Sequence, residues 1–172
     1  MSKMIRDYKV IKLLGKGNYA FAYLVEKKIS DIKKYYVIKQ IHFNDLSPSE
    51  KEEVKKEAKL LSQIKSDFVV KLYEFFEENN QLNIVMEYCE NGDLEKFLKE
   101  TKDIPLNDNF IWKLFIQIVI GLCEIHNMNI LHRDLKPSNI FLTKNNDIKI
   151  GDFGVSKQLY KKHFTQTVIG SC

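Results

Sequence analysis

Cysteine is scarce in this sequence and shows no metal-binding pattern. Cys89, Cys123 and Cys172 have no Cys-x-x-Cys spacing and no histidine at a zinc-like interval, so they read as free thiols in a reducing compartment. The N-terminus "MSKMIRDYKV" lacks the apolar core and small-residue cleavage site of a secretory signal. No uninterrupted apolar run reaches bilayer length, so no membrane association is expected, and a cytoplasmic location is the default. Internal repeats and low-complexity linkers are also missing. A net charge of +4 raises the question of nucleic acid, but the lysines are scattered and interleaved with glutamates, as in "EKEEVKKEAK". That is the pattern of a solvated helix face, and no nucleic-acid partner is expected.

What is present divides into a strand-rich part and a helical part. "YKVIKLLG", "FAYLVEKK" and "KKYYVIKQI" carry β-branched and aromatic residues between turn signals. "SPSEKEEVKKEAKLLSQIK" then changes period, with Ser47 placed to cap and Pro48 at the first helical position. Two further strands, "VVKLYEFFE" and "QLNIVMEY", flank "ENN". From "NGDLEKFLKE" the pattern turns helical, with a short helix and then a long one from Asn109 to about Asn127. "NIFLTKNNDIKIGDFG" reads as two short strands around a turn. The class is therefore α+β, with its boundary near Cys89 to Gly92.

On the long helix, Lys113, Gln117 and Glu124 fall within about 40° of one another, and nearly everything else in it is apolar. Such a helix requires enclosure on most of its circumference. On the middle helix, Val54, Ala58, Leu60, Leu61 and Ile64 form an apolar stripe from which Glu57 projects. A carboxylate aimed at a sheet needs a cation. Lys39, closing the apolar strand "YYVIK", is the natural partner, although two independent surface charges would leave the same trace in the sequence.

Chemistry concentrates in three stretches. "GKGNYAFAYLVE" places Gly15 and Gly17 between two strands, where backbone N–H groups approach phosphate oxygens unobstructed; a plain hairpin explains these glycines equally well, and no Walker lysine follows. In "LHRDLKPSNI", Asp134 is suited to accept a hydroxyl proton, Lys136 to hold a transferring phosphate and Asn139 to offer an amide oxygen to Mg²⁺. Asp152 in "IGDFG" is a second oxygen ligand. Each alone is compatible with a turn or cap. All of them in this order are not a coincidence.

The combination resembles the eukaryotic protein kinases. That resemblance implies a two-lobe fold, with an antiparallel sheet plus one helix over residues 1–88 and a helical lobe over 89–172. It implies ATP and Mg²⁺ as cofactors and protein serine or threonine hydroxyls as substrate. Asp134, Lys136, Lys39 and Glu57 would be catalytic, and Asn139 and Asp152 would bind metal. Gly15, Lys16, Gly17, Ala22, Val37, Lys39, Met86, Glu87, Cys89 and Phe141 would contact nucleotide, with Met86 as gatekeeper. Thr167 matches the activation-loop phosphosite, with Arg133 as its receptor, and Ser171 a residue that positions the substrate hydroxyl. "IVMEYCENGDL", "NIFLT" and "TVIGS" are most similar to the NIMA-related (Nek) kinases.

The sequence departs from the family in four places. Ala20 replaces a third glycine, Ala22 a valine, Val37 an alanine, and Asp67 falls where a His-Pro-Asn stretch is usual. The resemblance also implies further helices after Cys172, which the sequence does not contain. The alternative function is therefore a nucleotide-binding or interaction module with weak or no transfer, whose exposed helical surface a partner covers. The swaps at Ala22 and Val37 are expected to conserve volume around the base. Nucleotide affinities of Ala22→Val, Val37→Ala and the double variant should be non-additive, and simple additivity would count against compensation.

Overall fold

The computed structural model describes residues 3–17, 20–44 and 46–152. Six strands form one antiparallel sheet: β1 (Met4–Ile5), β2 (Tyr8–Lys16), β3 (Ala20–Ile29), β4 (Ile32–His42), β5 (Leu72–Glu78) and β6 (Gln81–Glu87), in the order β1-β2-β3-β4-β6-β5. The turns are built from residues that tolerate positive φ. Asn79 and Asn80, at φ 51° and 57°, join β5 to β6, and Ser30 and Asp31 join β3 to β4. The two-residue strand β1 was not anticipated from sequence. It adds one edge and buries Ile5.

Strand alternation separates two apolar faces. Tyr8, Val25, Ile38, Phe76 and Val85 cluster on one, with the Arg6 guanidinium 3.9 Å from the Phe76 ring centre. Ile41, Leu82 and Ile84 face the other way, toward α1 (Pro48–Leu61). That helix begins as expected: Ser47 and Glu50 form a reciprocal capping box, and Pro48 follows the cap. Val54, Ala58 and Leu61 are buried and Ile64 packs beside them. Leu60 does not join the stripe and is 41% exposed, because it lies about 100° around the helix from Leu61.

After the sheet come α2 (Leu94–Glu100), α3 (Asp108–Asn127) and a small hairpin of β7 (Ile140–Leu142) and β8 (Ile148–Ile150). Asn107 caps α3, which begins at Asp108, one residue before the start read from sequence. The hairpin is stitched on both sides. Ile150 donates its N–H to the Phe68 carbonyl and accepts from Val70, each at 2.8 Å, while Leu142 exchanges with Asn91 and Gly92 at 3.1 and 2.8 Å. Val69 and Val70, read from sequence as the start of a strand, serve this junction instead.

Helix α3 crosses behind the hairpin, and its polar side chains face it. Gln117 donates to Asp147 at 2.9 Å and accepts from the Ile148 N–H at 3.0 Å, and Lys113 pairs with Asp147 at 2.8 Å. These two contacts hold the Asp147 carboxyl below its ordinary range. Glu124 accepts from the Ser66 hydroxyl, which also takes the Phe68 N–H. By length and mean hydropathy α3 would suffice to cross a membrane, although its three aligned polar residues are each tied to protein groups. Its opposite side carries Ile111, Trp112, Phe115, Ile116, Val119 and Ile120, all exposed, and no described residue covers them.

Gly121 sits where α3 approaches most closely. A Cβ there would lie 2.9 Å from Ile150 Cδ1 and 3.0 Å from the Phe68 carbonyl oxygen. Gly121→Ala should lower stability by a net ~1 kcal/mol in urea denaturation, overpacking outweighing the helix preference for alanine. Unchanged or increased stability would show that the junction yields freely.

Candidate active site

The sheet contributes one wall. In register, Ala22 stands opposite Lys39, and Lys39 opposite Ile84; two pairs further along, Leu24 stands opposite Val37 and Val37 opposite Met86. These residues share a face, so the predicted positions Ala22, Val37, Lys39 and Met86 line one side of the sheet. Gly15 is opposite Ala22 at the end of β2, and Gly17 donates its N–H to the Ala20 carbonyl at 2.8 Å. The Lys16 side chain is directed elsewhere. Its amine lies 5.7 Å from the Phe21 ring centre, on the opposite face.

The hairpin contributes the facing wall. Lys39 Nζ reaches Asp152 Oδ1 at 2.5 Å, joining residues 113 positions apart. Asp152 holds φ 53°, and Arg133 φ 61°, both in the left-handed region that an L-residue adopts at a cost. Asn139 is 5% exposed and donates Nδ2 to both the carbonyl and the carboxylate of Asp134, each at 2.8 Å. Its amide oxygen is thereby aimed the other way. Lys136 Nζ stands 3.2 Å from Asp134 Oδ2. The donor set of Asn139 and Asp152 is all oxygen, which suits a hard divalent cation.

Sequence reasoning overlooked His132, which is 3% exposed. Its Nε2 donates to the Gly151 carbonyl at 2.8 Å and its Nδ1 accepts the Asp134 N–H at 3.3 Å, which fixes the neutral tautomer. The imidazole thus locks the Asp134 loop to the residue before Asp152. A buried histidine inside "LHRDLKPSNI" was the available signal. Gly151 has its own constraint, since a Cβ there would meet Phe141 and Val70 carbons at 2.8 Å. Phe141 forms an isolated bridge with Asp93, just beyond the connector 87–92. Cys89 is buried, and burial pushes its thiol up to about 12, which leaves it a poor nucleophile.

One expectation needs correction. Lys39 pairs with Asp152, and no Lys39–Glu57 ion pair forms. Partial burial raises the Glu57 carboxyl above its ordinary value, while Arg133 first and Lys39 second pull it down through space. Two cations therefore share one carboxylate without either closing on it, and the apolar stripe alone did not reveal the competitor. Thr167 and Ser171 lie outside the described residues.

The protein kinase domain pattern matches residues 8–172. This chain belongs to the protein kinase family. Among curated relatives it is similar to serine/threonine-protein kinase Nek5 of Homo sapiens, 43% identical over 95% of this chain and 23% of that protein. Serine/threonine-protein kinase Nek1 of Mus musculus is 38% identical over 99% of this chain and 14% of its own length. The probable serine/threonine-protein kinase nek2 of Dictyostelium discoideum is 32% identical, over 96% and 41% respectively. The chain thus spans less than half of these relatives. Membership brings with it the family's general need for ATP and a divalent metal, and the fold class is that of the kinase sheet-plus-helix arrangement.

The sign of the Glu57 shift gives a pH test. A carboxyl raised in the folded state contributes stability that is fully present below its unfolded pKa and is lost as pH rises through the folded value. Glu57→Gln removes that loss. The variant should match wild type near pH 4 and gain on it progressively toward pH 7 in urea denaturation. A constant difference across that range would contradict the burial assignment.

Proposed function

We propose that this kinase-family chain transfers the γ-phosphate of ATP to serine or threonine hydroxyls of proteins, with Mg²⁺ as the metal. The observation that carries the reading is the Lys39–Asp152 contact at 2.5 Å, which joins the two walls at one point. Around it, the side chains of Asp134 and Asn139 hold each other, and His132 accepts the Asp134 backbone N–H and donates to the Gly151 carbonyl.

Asn139 and Asp152 would hold the cation, which neutralises charge on the triphosphate when bound. Lys39 anchors phosphate oxygens from the sheet side. Asp134 orients the attacking hydroxyl and accepts its proton, and Lys136, 3.2 Å away, balances charge on the transferred group. Ala22, Val37 and Met86 form the apolar wall against the base, and the backbone of Glu87 to Cys89 supplies its polar edge. Little covalent chemistry falls to the protein, so rate enhancement comes from positioning and fixed charge. Serine/threonine selectivity follows from "DLKPSN" by resemblance to the family.

A second reading is favoured by one observation: Glu57 and Lys39 are unpaired with each other, so the chain binds nucleotide without efficient transfer. Labelled γ-phosphate transfer to a generic protein substrate separates the two. Under the first reading Asp134→Asn lowers incorporation ~10²–10⁴-fold, while Mg-ATP still raises the melting temperature of both proteins. Wild-type incorporation no greater than that of Asp134→Asn, with the thermal shift retained, would establish the binding module.

A further inference from the structure

Residues 1–42 hold ten of the 27 lysines and arginines but only three of the 23 aspartates and glutamates. Much of that charge gathers on one projection. Pairing of β2 with β3 reaches only as far as Glu26, and pairing of β6 with β4 only as far as Tyr36. Residues 27–35 therefore leave the sheet as a two-stranded ribbon, closed by Ser30 and Asp31 at φ 47° and 66°. Alternate residues of 32–35 turn their N–H and C=O groups to an edge that no described strand occupies. Within the ribbon Lys27 stands opposite Lys34, and Lys28 opposite Lys33. Like charges so placed destabilise a strand pair. Three of these lysines have an anion of their own: Lys27 takes Asp7 at 2.6 Å, Lys28 takes Asp31 at 2.8 Å and Lys33 takes Glu26 at 3.1 Å. Among the described residues Lys34 has none. Ile32 is 63% exposed and Tyr35 48%. Edge lysines alone guard a strand against unwanted pairing, but two large apolar side chains on the same edge invite it.

We propose that the β4 edge over residues 32–35 is a docking site for an acidic, extended segment of a partner protein, which joins the ribbon as an added strand. Side chains of the incoming strand meet Ile32, Lys33, Lys34 and Tyr35 in turn. The matching pattern is an apolar residue, two acidic residues and a second apolar residue. It reads the same in both directions, so parallel and antiparallel docking both satisfy it. Carboxylates set beside Lys33 and Lys34 relieve the lysine–lysine repulsion, which couples docking to the stability of the ribbon. A lipid surface fits less well, because the tip carries Asp31, whose side chain is 93% exposed. A nucleic-acid backbone also fits less well, since Lys33 and Lys34 project to opposite faces of the strand. None of the four docking residues belongs to the nucleotide wall of Ala22, Val37, Lys39 and Met86.

The test uses the full 172-residue chain and a fluorescein-labelled peptide containing Ile-Glu-Glu-Tyr, read by anisotropy. The wild-type chain should bind it, less tightly as salt rises. Lys34→Glu should weaken binding about fivefold or more, and Ile32→Ser several-fold. Lys34→Glu sacrifices no ion pair and turns its contact with Lys27 into an attraction. Its melting temperature should therefore equal or exceed that of wild type, which separates lost docking from lost folding. One of the two peptides with a single lysine in place of glutamate should recover affinity for that variant. N-methylation of the central peptide amides, which keeps every side chain, should weaken binding about tenfold. Equal binding of the methylated and parent peptides would reduce the contact to diffuse charge attraction and overturn strand addition. So would a wild-type chain that binds no peptide, or a Lys34→Glu variant that binds as well as wild type. Phosphatidylserine vesicles or single-stranded DNA held more tightly than the peptide through Lys34 would replace the protein partner with a lipid or nucleic-acid one.

Discussion

Two strands of three residues each have no independent stability, and the site depends on how this weakness is overcome. The β7–β8 hairpin borrows hydrogen bonds on both edges, from residues 68–70 on one side and 91–92 on the other. Those borrowed edges belong to the segments just before β5 and just after β6, so the hairpin is fixed relative to the large sheet by backbone geometry. Asn139 immediately precedes it and Asp152 follows it by two residues. Asn139 and Asp152 are therefore both placed by one small element stitched on its two edges. Loops positioned this way carry function because their supports do not move.

The charges around Lys39 follow from that arrangement. An ammonium on an apolar strand needs an anion, and the hairpin presents Asp152 within reach. Glu57 sits on the neighbouring helix in a setting that disfavours its charge, drawn by Arg133 as well as by Lys39. A lysine with two carboxylates available, and a glutamate with two cations available, form a set with more than one low-energy pairing. Which pairing holds depends on small displacements of α1, since Coulomb terms at intermediate dielectric change by about a kcal/mol per ångström at these separations.

Much of this was legible in the sequence because the signals were local. The cap at Ser47, the Asn-Asn turn and the change of hydrophobic period each follow from residues within a few positions of one another. The site residues became legible through spacing and order, since "LHRDLKPSNI" and "GDFG" contain too many polar groups beside apolar strands for ordinary loops. Leu60 was misassigned because a stripe drawn by eye ran wider than the buried face. The partner of Lys39 was misjudged because sequence supplies charges but no distances. The ion pair of Lys149 with Glu87, at 3.1 Å, was missed although Lys149 gave the same signal as Lys39: a lysine inside "IKI", a strand too apolar to need one. Its carboxylate partner lies 62 positions earlier.

Helix α3 shows how polar contacts add to apolar burial in orienting an element. Leu114 and Ile125 are buried in the core, with Phe110, Ile118 and Leu122 packed against it, while Trp112 and Phe115 on the other side are exposed. Its rotation is further fixed by Gln117 and Lys113 on Asp147 at one end, Glu124 on Ser66 at the other, and Gly121 between them, where a side chain would crowd Ile150 and Phe68. Gln117 satisfies the Ile148 N–H, a backbone donor that would otherwise be costly to bury. The helix is thus registered against β8 by hydrogen bonds whose geometry tolerates little sliding, whereas an apolar contact would tolerate more. Such registration suits the element that backs Lys149 and Asp152. An error in the rotation of α3 would pass directly into the strand that carries Lys149 and leads to Asp152.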